Sequence, residues 1–152
     1  MKKIEDCMKK IFIGIIVIIA IWIGILIIGY LRYHSFEDGD VSNVEIIPME
    51  SEIYSNEEIN SAINVILERF KENYNGCSLL KIGYIGDEKN DEYIDWAERN
   101  NKSEVIVFIS DFKVAPNAGD GILNSDSEYK GYRWILVRNE NENWTYADCG
   151  YG

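Results

Sequence analysis

The rhythm of apolar residues divides the chain. Residues 11–31 read IFIGIIVIIAIWIGILIIGYL, 21 positions without a charge or a proline. At ~1.5 Å per residue such a helix is roughly 31 Å long, matching the ~30 Å hydrocarbon core of a bilayer. A helix packed on a globular core keeps a polar face, and this one has none. The stretch therefore predicts a single transmembrane helix at residues 11–31, after a short N-terminal segment at residues 1–10. Lys9 and Lys10 border one end, and Tyr30, Tyr33 and His34 lie at the other, where interfacial side chains belong. The positive-inside rule then assigns the N-terminus to the cytoplasm and the C-terminus to the outside. A cleaved signal peptide is the rival reading, but its apolar region runs to only ~7–15 residues and ends in a small-residue site. Leu31-Arg32-Tyr33-His34 offers no such site, and Cys7 precedes the apolar run, which argues against lipid attachment there.

Beyond the span the periodicity changes. Residues 32–54 are mostly polar, with a turn signal at Asp38-Gly39-Asp40 and a break at Pro48. They predict an extracytoplasmic stalk, with room for a short strand within 43–47. Ser55 then stands three residues before Glu58, a capping box, with Tyr54 and Ile59 at the hydrophobic-staple positions. Ile59, Ile63, Ile66, Leu67, Phe70 and Tyr74 recur at helical spacing, and Gly76 is placed as a C-cap, so a helix is predicted over about 56–74. Residues 77–85 predict a strand, and 89–101, with Tyr93, Trp96 and Ala97 on one face, a short helix. Residues 104–114, EVIVFISDFKV, are β-branched and aromatic throughout and predict a strong strand. After a polar loop at 115–130, residues 131–138 and 144–149 predict a hairpin around Asn139-Glu140-Asn141-Glu142-Asn143. The fold class expected for residues 55–152 is thus α+β, in the order helix, strand, helix, strand, strand, strand. A long helix cradled by a curved antiparallel sheet would bury the apolar helix face. That element order resembles the NTF2-like or cystatin-like roll.

Charge narrows the partners. Residues 32–152 carry 11 basic and 24 acidic residues, a net −13. Such a surface is repelled by phosphate backbones and anionic headgroups, and the basic footprint of a nucleic-acid binder is absent. High Ile, Asn, Lys and Tyr usage points to an AT-rich bacterial genome. In that setting the sequons Asn101-Lys102-Ser103 and Asn143-Trp144-Thr145 are chance matches.

Catalytic signatures are missing from the sequence. The single histidine, His34, lies beside the membrane span, so a Ser–His–Asp triad, a Cys–His pair or a His-based zinc site inside the domain is excluded. No phosphate-loop or dinucleotide motif surrounds Gly83 and Gly86. Oxygen ligands alternate through Asn117–Asp120 and Asn124–Glu128, yet counting from Asn124 the sixth and twelfth positions are Tyr129 and Ile135 rather than Gly and Glu, so the segment reads as a solvated acidic loop. Neither a cofactor nor a metal is expected, and no enzyme. Cys77 and Cys149 are the two cysteines beyond the span. In an oxidising compartment they form either a disulfide, stabilising by roughly 4 kcal/mol through loop closure, or two separate buried thiols. Tyr84, Trp96, Tyr132, Trp134, Trp144 and Tyr146 either line a pocket on the concave side of a roll or pack the core; Tyr84, Trp96, Trp134 and Trp144 are the candidate pocket residues.

Several short motifs occur together: Tyr54-Ser55 with Glu57-Glu58-Ile59-Asn60, then Gly76-Cys77-Ser78-Leu79, Gly119-Asp120-Gly121, Trp134-Ile135-Leu136-Val137-Arg138, Trp144 and Gly150-Tyr151-Gly152. They resemble a family of small uncharacterised domains in secreted or membrane-anchored proteins of Gram-positive bacteria. The resemblance covers about residues 53–152 and implies an extracytoplasmic domain without supplying an activity. The anchor-plus-roll layout is also similar to VirB8-type components of secretion and conjugation channels. The function expected is a binding or interaction module at the cell membrane, its partner another envelope protein or a cell-wall component. A channel subunit and a small-ligand-binding or enzymatic NTF2-like domain are the alternatives.

Overall fold

The computed structural model describes residues 2–33, 37–116, 118 and 122–151. His34, Asn117, the Gly119-Asp120-Gly121 motif and Gly152 lie outside the described residues. The chain forms two units, Met1–Phe36 and Glu37–Gly152. The first is a single helix, α1 (Lys2–Tyr33). Its segment Lys10–Leu31 has a mean hydropathy of 3.4 and is 0% buried, so it is long and apolar enough to cross a membrane.

The second unit is a mixed α+β domain. Its elements are β1 (Glu45–Ile47), α2 (Asn56–Asn73), β2 (Cys77–Tyr84), α3 (Asp87–Asp91), α4 (Ile94–Arg99), β3 (Glu104–Val114), β4 (Glu128–Arg138) and β5 (Thr145–Gly150). The five strands form one sheet in chain order. Strands β2 to β5 are an antiparallel meander, but β1 runs parallel to β2. The sheet is therefore not wholly antiparallel: α2 lies between β1 and β2 in the chain and carries it back to the end from which β1 started.

Two further expectations change. Residues 37–54 belong to the domain and are not a free stalk. The Asp40 N–H donates to the Cys77 carbonyl and the Leu79 N–H to the Asp40 carbonyl, both at 2.8 Å, and β1 then continues along β2. Polar side chains suggested a stalk, yet the backbone of this segment is paired. The single helix expected over 89–101 is two short ones, α3 and α4, broken at Glu92–Tyr93. Gly86, at φ 92°, opens α3 in a conformation that favours glycine.

Alternation along the strands gives each face its own cover. On the inner face Leu79, Ile82, Phe108, Phe112, Trp134 and Leu136 are buried together with Ile59, Ile63, Ile66 and Phe70 of α2. Phe70 meets Phe112 edge-on, with ring centroids 5.8 Å apart, and the Trp134 indole N–H donates to Ser110 Oγ at 2.8 Å. On the outer face Ala97 of α4 packs with Val105, Val107, Ile135 and Val137, flanked by Ile85, Tyr93, Trp96 and Ala147. The ladder register shifts at Leu79/Lys81 of β2 against β3, at Ser110/Phe112 of β3 against β4, and at Ile135/Leu136 of β4 against β5.

The start of α2 is tied to the sheet by charge. Ser55 Oγ accepts from the Glu58 N–H, and Glu58 Oε2 accepts from the Ser55 N–H at 2.9 Å, which completes the capping box. Glu58 Oε1 also accepts from Arg138 Nη2, while Arg138 Nε donates to Glu104 Oε2. The Arg138 guanidinium, with help from the Ser55 N–H, holds the Glu58 carboxyl down at about 2. A carboxyl held below its ordinary 4.5 stabilises the fold fully above that pH, and this contribution is lost as pH falls toward 2. Urea-unfolding midpoints of the detergent-solubilised chain should accordingly drop between about pH 4.5 and pH 2. Glu58→Gln should be less stable at neutral pH and flatter through that window. Parallel profiles for the two proteins would remove Glu58 as an acid-sensitive group.

Candidate functional site

A groove opens at the edge of the sheet, between β1 and the N-terminal half of α2. It has a volume of about 550 Å³, with Ile46, Met49, Ile59, Ile63 and Tyr84 among its walls and Glu50, Asn56 and Asn60 as polar lining. Register explains the floor. Ile46 pairs with Ile82, and both therefore share the inner face with the apolar stripe of α2. β1 has only three residues, and Ile46 and Met49 remain 46% and 42% exposed while Ile59 and Ile63 of the stripe are buried. Pro48, directly after β1, cannot donate to a sheet ladder and ends the strand. Gly83 lets β1 approach: a Cβ there would stand 2.8 Å from Ile47 Cβ.

A clasp holds the segment beyond β1. Asp87, the first residue of α3, accepts from Ser51 Oγ at 2.6 Å, from the Glu52 N–H at 2.7 Å and from the Tyr84 hydroxyl at 2.9 Å. Ser51 Oγ in turn accepts from the Tyr54 N–H at 2.9 Å. The bond from Ser51, ahead of those from the Glu52 backbone and Tyr84, lowers the Asp87 pKa below its ordinary value. Burial, and then the neighbouring Asp87 carboxylate, push the Tyr84 hydroxyl up, so it stays protonated and donates. The clasp delivers Tyr54 to the inner face, where its hydroxyl reaches the Val105 carbonyl at 2.8 Å and burial raises its pKa to about 12.

The four aromatic residues singled out from the sequence do not line a common pocket. Trp134 is fully buried beneath α2, where its ring lies 5.3 Å from that of Tyr74. Trp144 is buried between the Tyr54 ring, 5.6 Å away, and the Arg138 guanidinium, 4.1 Å from its ring centre. Tyr84 borders the edge groove, and Trp96 belongs to the opposite face. The long helix α2 itself covers the inner face of the sheet.

Cys77 and Cys149 are not brought together either, and no disulfide joins them. Cys77 begins β2 and Cys149 lies in β5, with β3 and β4 between them. At ~4.8 Å per strand, three steps separate their strands by roughly 14 Å, far beyond the ~7 Å Cα limit for a disulfide. Cys149 instead sits among hydroxyls: Tyr146 donates to its sulfur at 3.1 Å, and Tyr74 and Tyr132 lie 3.2 and 3.3 Å from it. Burial first, and the contact with Cys149 second, raise the pKa of all three tyrosines, that of Tyr146 to about 12. The three hydroxyls are therefore neutral near pH 7 and pack around the end of α2.

A second, smaller cleft of about 200 Å³ opens on the outer face, lined by Tyr93, Trp96, Arg133, Ile135, Asp148 and Tyr151. Among the described residues no three His, Cys, Asp or Glu side chains gather as a metal site. No family model matches the chain, and neither a curated protein nor a solved structure matches it.

The sequence reading missed Ile46, Met49, Asn60, Arg133 and Asp148 as lining residues. The run Ile46-Ile47-Pro48-Met49 carried a signal, three apolar residues around a proline in a polar stretch. For Arg133 and Asp148 there was none, because only strand register makes them neighbours.

Asp87→Ala should release the clasp. Amide exchange at Glu52 and Tyr54 should quicken by at least about tenfold while the strands β3 and β4 stay protected, the pattern of local opening; unchanged exchange at both amides would discount the clasp. Alkylation of the unfolded protein without reductant should label Cys77 and Cys149 in full, whereas loss of two labels restored by reductant would establish a disulfide.

Proposed function

We propose that this chain is a non-enzymatic, membrane-anchored interaction module, with its N-terminus in the cytoplasm and an acidic domain of the NTF2-like or cystatin-like roll type on the outer side of the cell membrane. The observation that carries the reading is the Lys10–Leu31 helix, apolar on all sides and 0% buried. In water such a surface is costly, and a bilayer removes that cost. Lys9 and Lys10 before it support the orientation. The resemblance to small extracytoplasmic domains of Gram-positive bacteria agrees with that placement.

The edge groove supports the interaction role. It offers exposed apolar side chains beside a sheet edge, the setting in which an extended segment adds as a further strand. Glu50 lines it, and Glu45, Glu52 and Glu57 flank the lining residues in the chain. In a domain with a net charge of −13 over residues 32–152, the complementary partner is an extended segment of another envelope protein, apolar where it enters and basic around that point. The packed inner face weighs against the alternative of a ligand pocket or enzyme centre inside the roll. A channel subunit of the VirB8 type would be one special case of the module, with no residue in its particular favour.

Protease added to intact protoplasts should remove the domain and leave the anchor in the membrane; cleavage only after permeabilisation would reverse the orientation. A photo-cross-linking residue at Met49 should capture an envelope protein in intact cells, while one at Ile94, exposed on α4, should not. Recovery of the chain alone from both positions would overturn the interaction reading.

A further inference from the structure

The outer-face cleft contains an arginine without a counter-charge. Arg133 of β4 is half-buried and makes no ion pair among the described residues, although the chain has 26 acidic residues, 24 of them in 32–152. One of its guanidinium N–H groups donates to the Tyr93 hydroxyl, and its centre lies 5.1 Å from the middle of the Tyr93 ring. Tyr93 thus orients the fork, which suits the two oxygens of a carboxylate.

Asp148 stands on the neighbouring strand. It pairs with Ile135, two residues along from Arg133, and therefore projects from the same face. It too makes no ion pair among the described residues. Trp96 and Tyr151 supply aromatic walls and Ile135 an apolar base. With a cavity of about 200 Å³, the cleft is smaller than the ~300 Å³ at which drug-sized pockets begin.

From these features we infer that the cleft binds a small α-amino-acid zwitterion, with its carboxylate on Arg133, its ammonium on Asp148 and its apolar side chain among Trp96, Tyr151 and Ile135. The overall field decides between a zwitterion and a simple anion. A domain this acidic repels a bare carboxylate, whereas a zwitterion arrives without net charge and satisfies both unpaired groups. This site is separate from the edge groove and stands or falls without it.

Equilibrium dialysis of the full chain in nanodiscs against labelled leucine tests the inference, with N-acetylleucine and leucinamide as probes lacking one charge each. Leucine should bind saturably at one site per chain. Each capped probe should bind at least about tenfold more weakly, as loss of one charge-assisted contact implies. Arg133→Gln should weaken leucine by a similar factor, while Lys130→Gln, an exposed change on the same strand, should not. Asp148→Asn should weaken leucine while leaving the binding of N-acetylleucine undiminished, an outcome that an unfolded variant cannot mimic. Absence of saturable leucine binding up to about 10 mM, a bound far weaker than ordinary ligand affinities, would overturn the proposal. So would equal binding of leucine and its capped forms, or undiminished binding by folded Arg133→Gln.

Discussion

Arg138 sits where the long helix, the centre of the sheet and the last hairpin meet. Its guanidinium takes Glu58 from the first turn of α2 and Glu104 from the start of β3, and it lies over the indole of Trp144. Its side chain is only 11% exposed, whereas the two carboxylates are 35% and 26% exposed. Removing one partner of a fully buried pair costs roughly 3–5 kcal/mol, and the partial exposure here brings the figure below that range. The larger consequence is geometric. Glu58 also closes the capping box with Ser55, so one carboxylate fixes both where α2 begins and where it lies on the sheet. Once that end is fixed, Ile59, Ile63, Ile66 and Phe70 fall on the inner face in sequence.

The opposite boundary of the domain depends on neutral and carboxylate hydrogen bonds. Asp87 gathers Ser51, Glu52 and Tyr84, and Gly83 gives β1 room to approach β2. β1 has only three residues, and Pro48 ends it. The groove beside it takes its chemistry from Ile46 and Met49, which stay exposed, and from Glu50 in its lining. Charge then selects what can approach: a net −13 over residues 32–152 favours basic segments and net-neutral ligands over anions.

Two surfaces with different chemistry result on opposite faces of one sheet. The inner-face groove is apolar with an acidic lining residue and an open strand edge, features suited to a chain segment. The outer-face cleft is small and aromatic, with one cation and one anion left unpaired, features suited to a compact zwitterion. Neither uses the space between α2 and the sheet, which Trp134, Phe108 and Phe112 fill. Cys149 is likewise enclosed, by three tyrosine hydroxyls, and Cys77 belongs to the packing of β2.

Local rules made much of the architecture legible. The 11–31 run, the Ser55–Glu58 box, the helical spacing from Ile59 to Tyr74 and the β-branched 104–114 stretch each carry their signal within a few neighbouring residues, and α1, α2 and β3 appear where that signal places them. Tertiary structure decided what depends on residues distant in sequence. Backbone pairing drew residues 37–54 into the domain, which side-chain polarity had obscured. Crossing through α2 made β1 parallel, and register scattered the aromatic residues over two faces and set Cys77 apart from Cys149. Register also brought Arg133 and Asp148 to one cleft. A sequence states which face a residue shares with its near neighbours; which other strand supplies the remainder of that face is settled only when the sheet assembles.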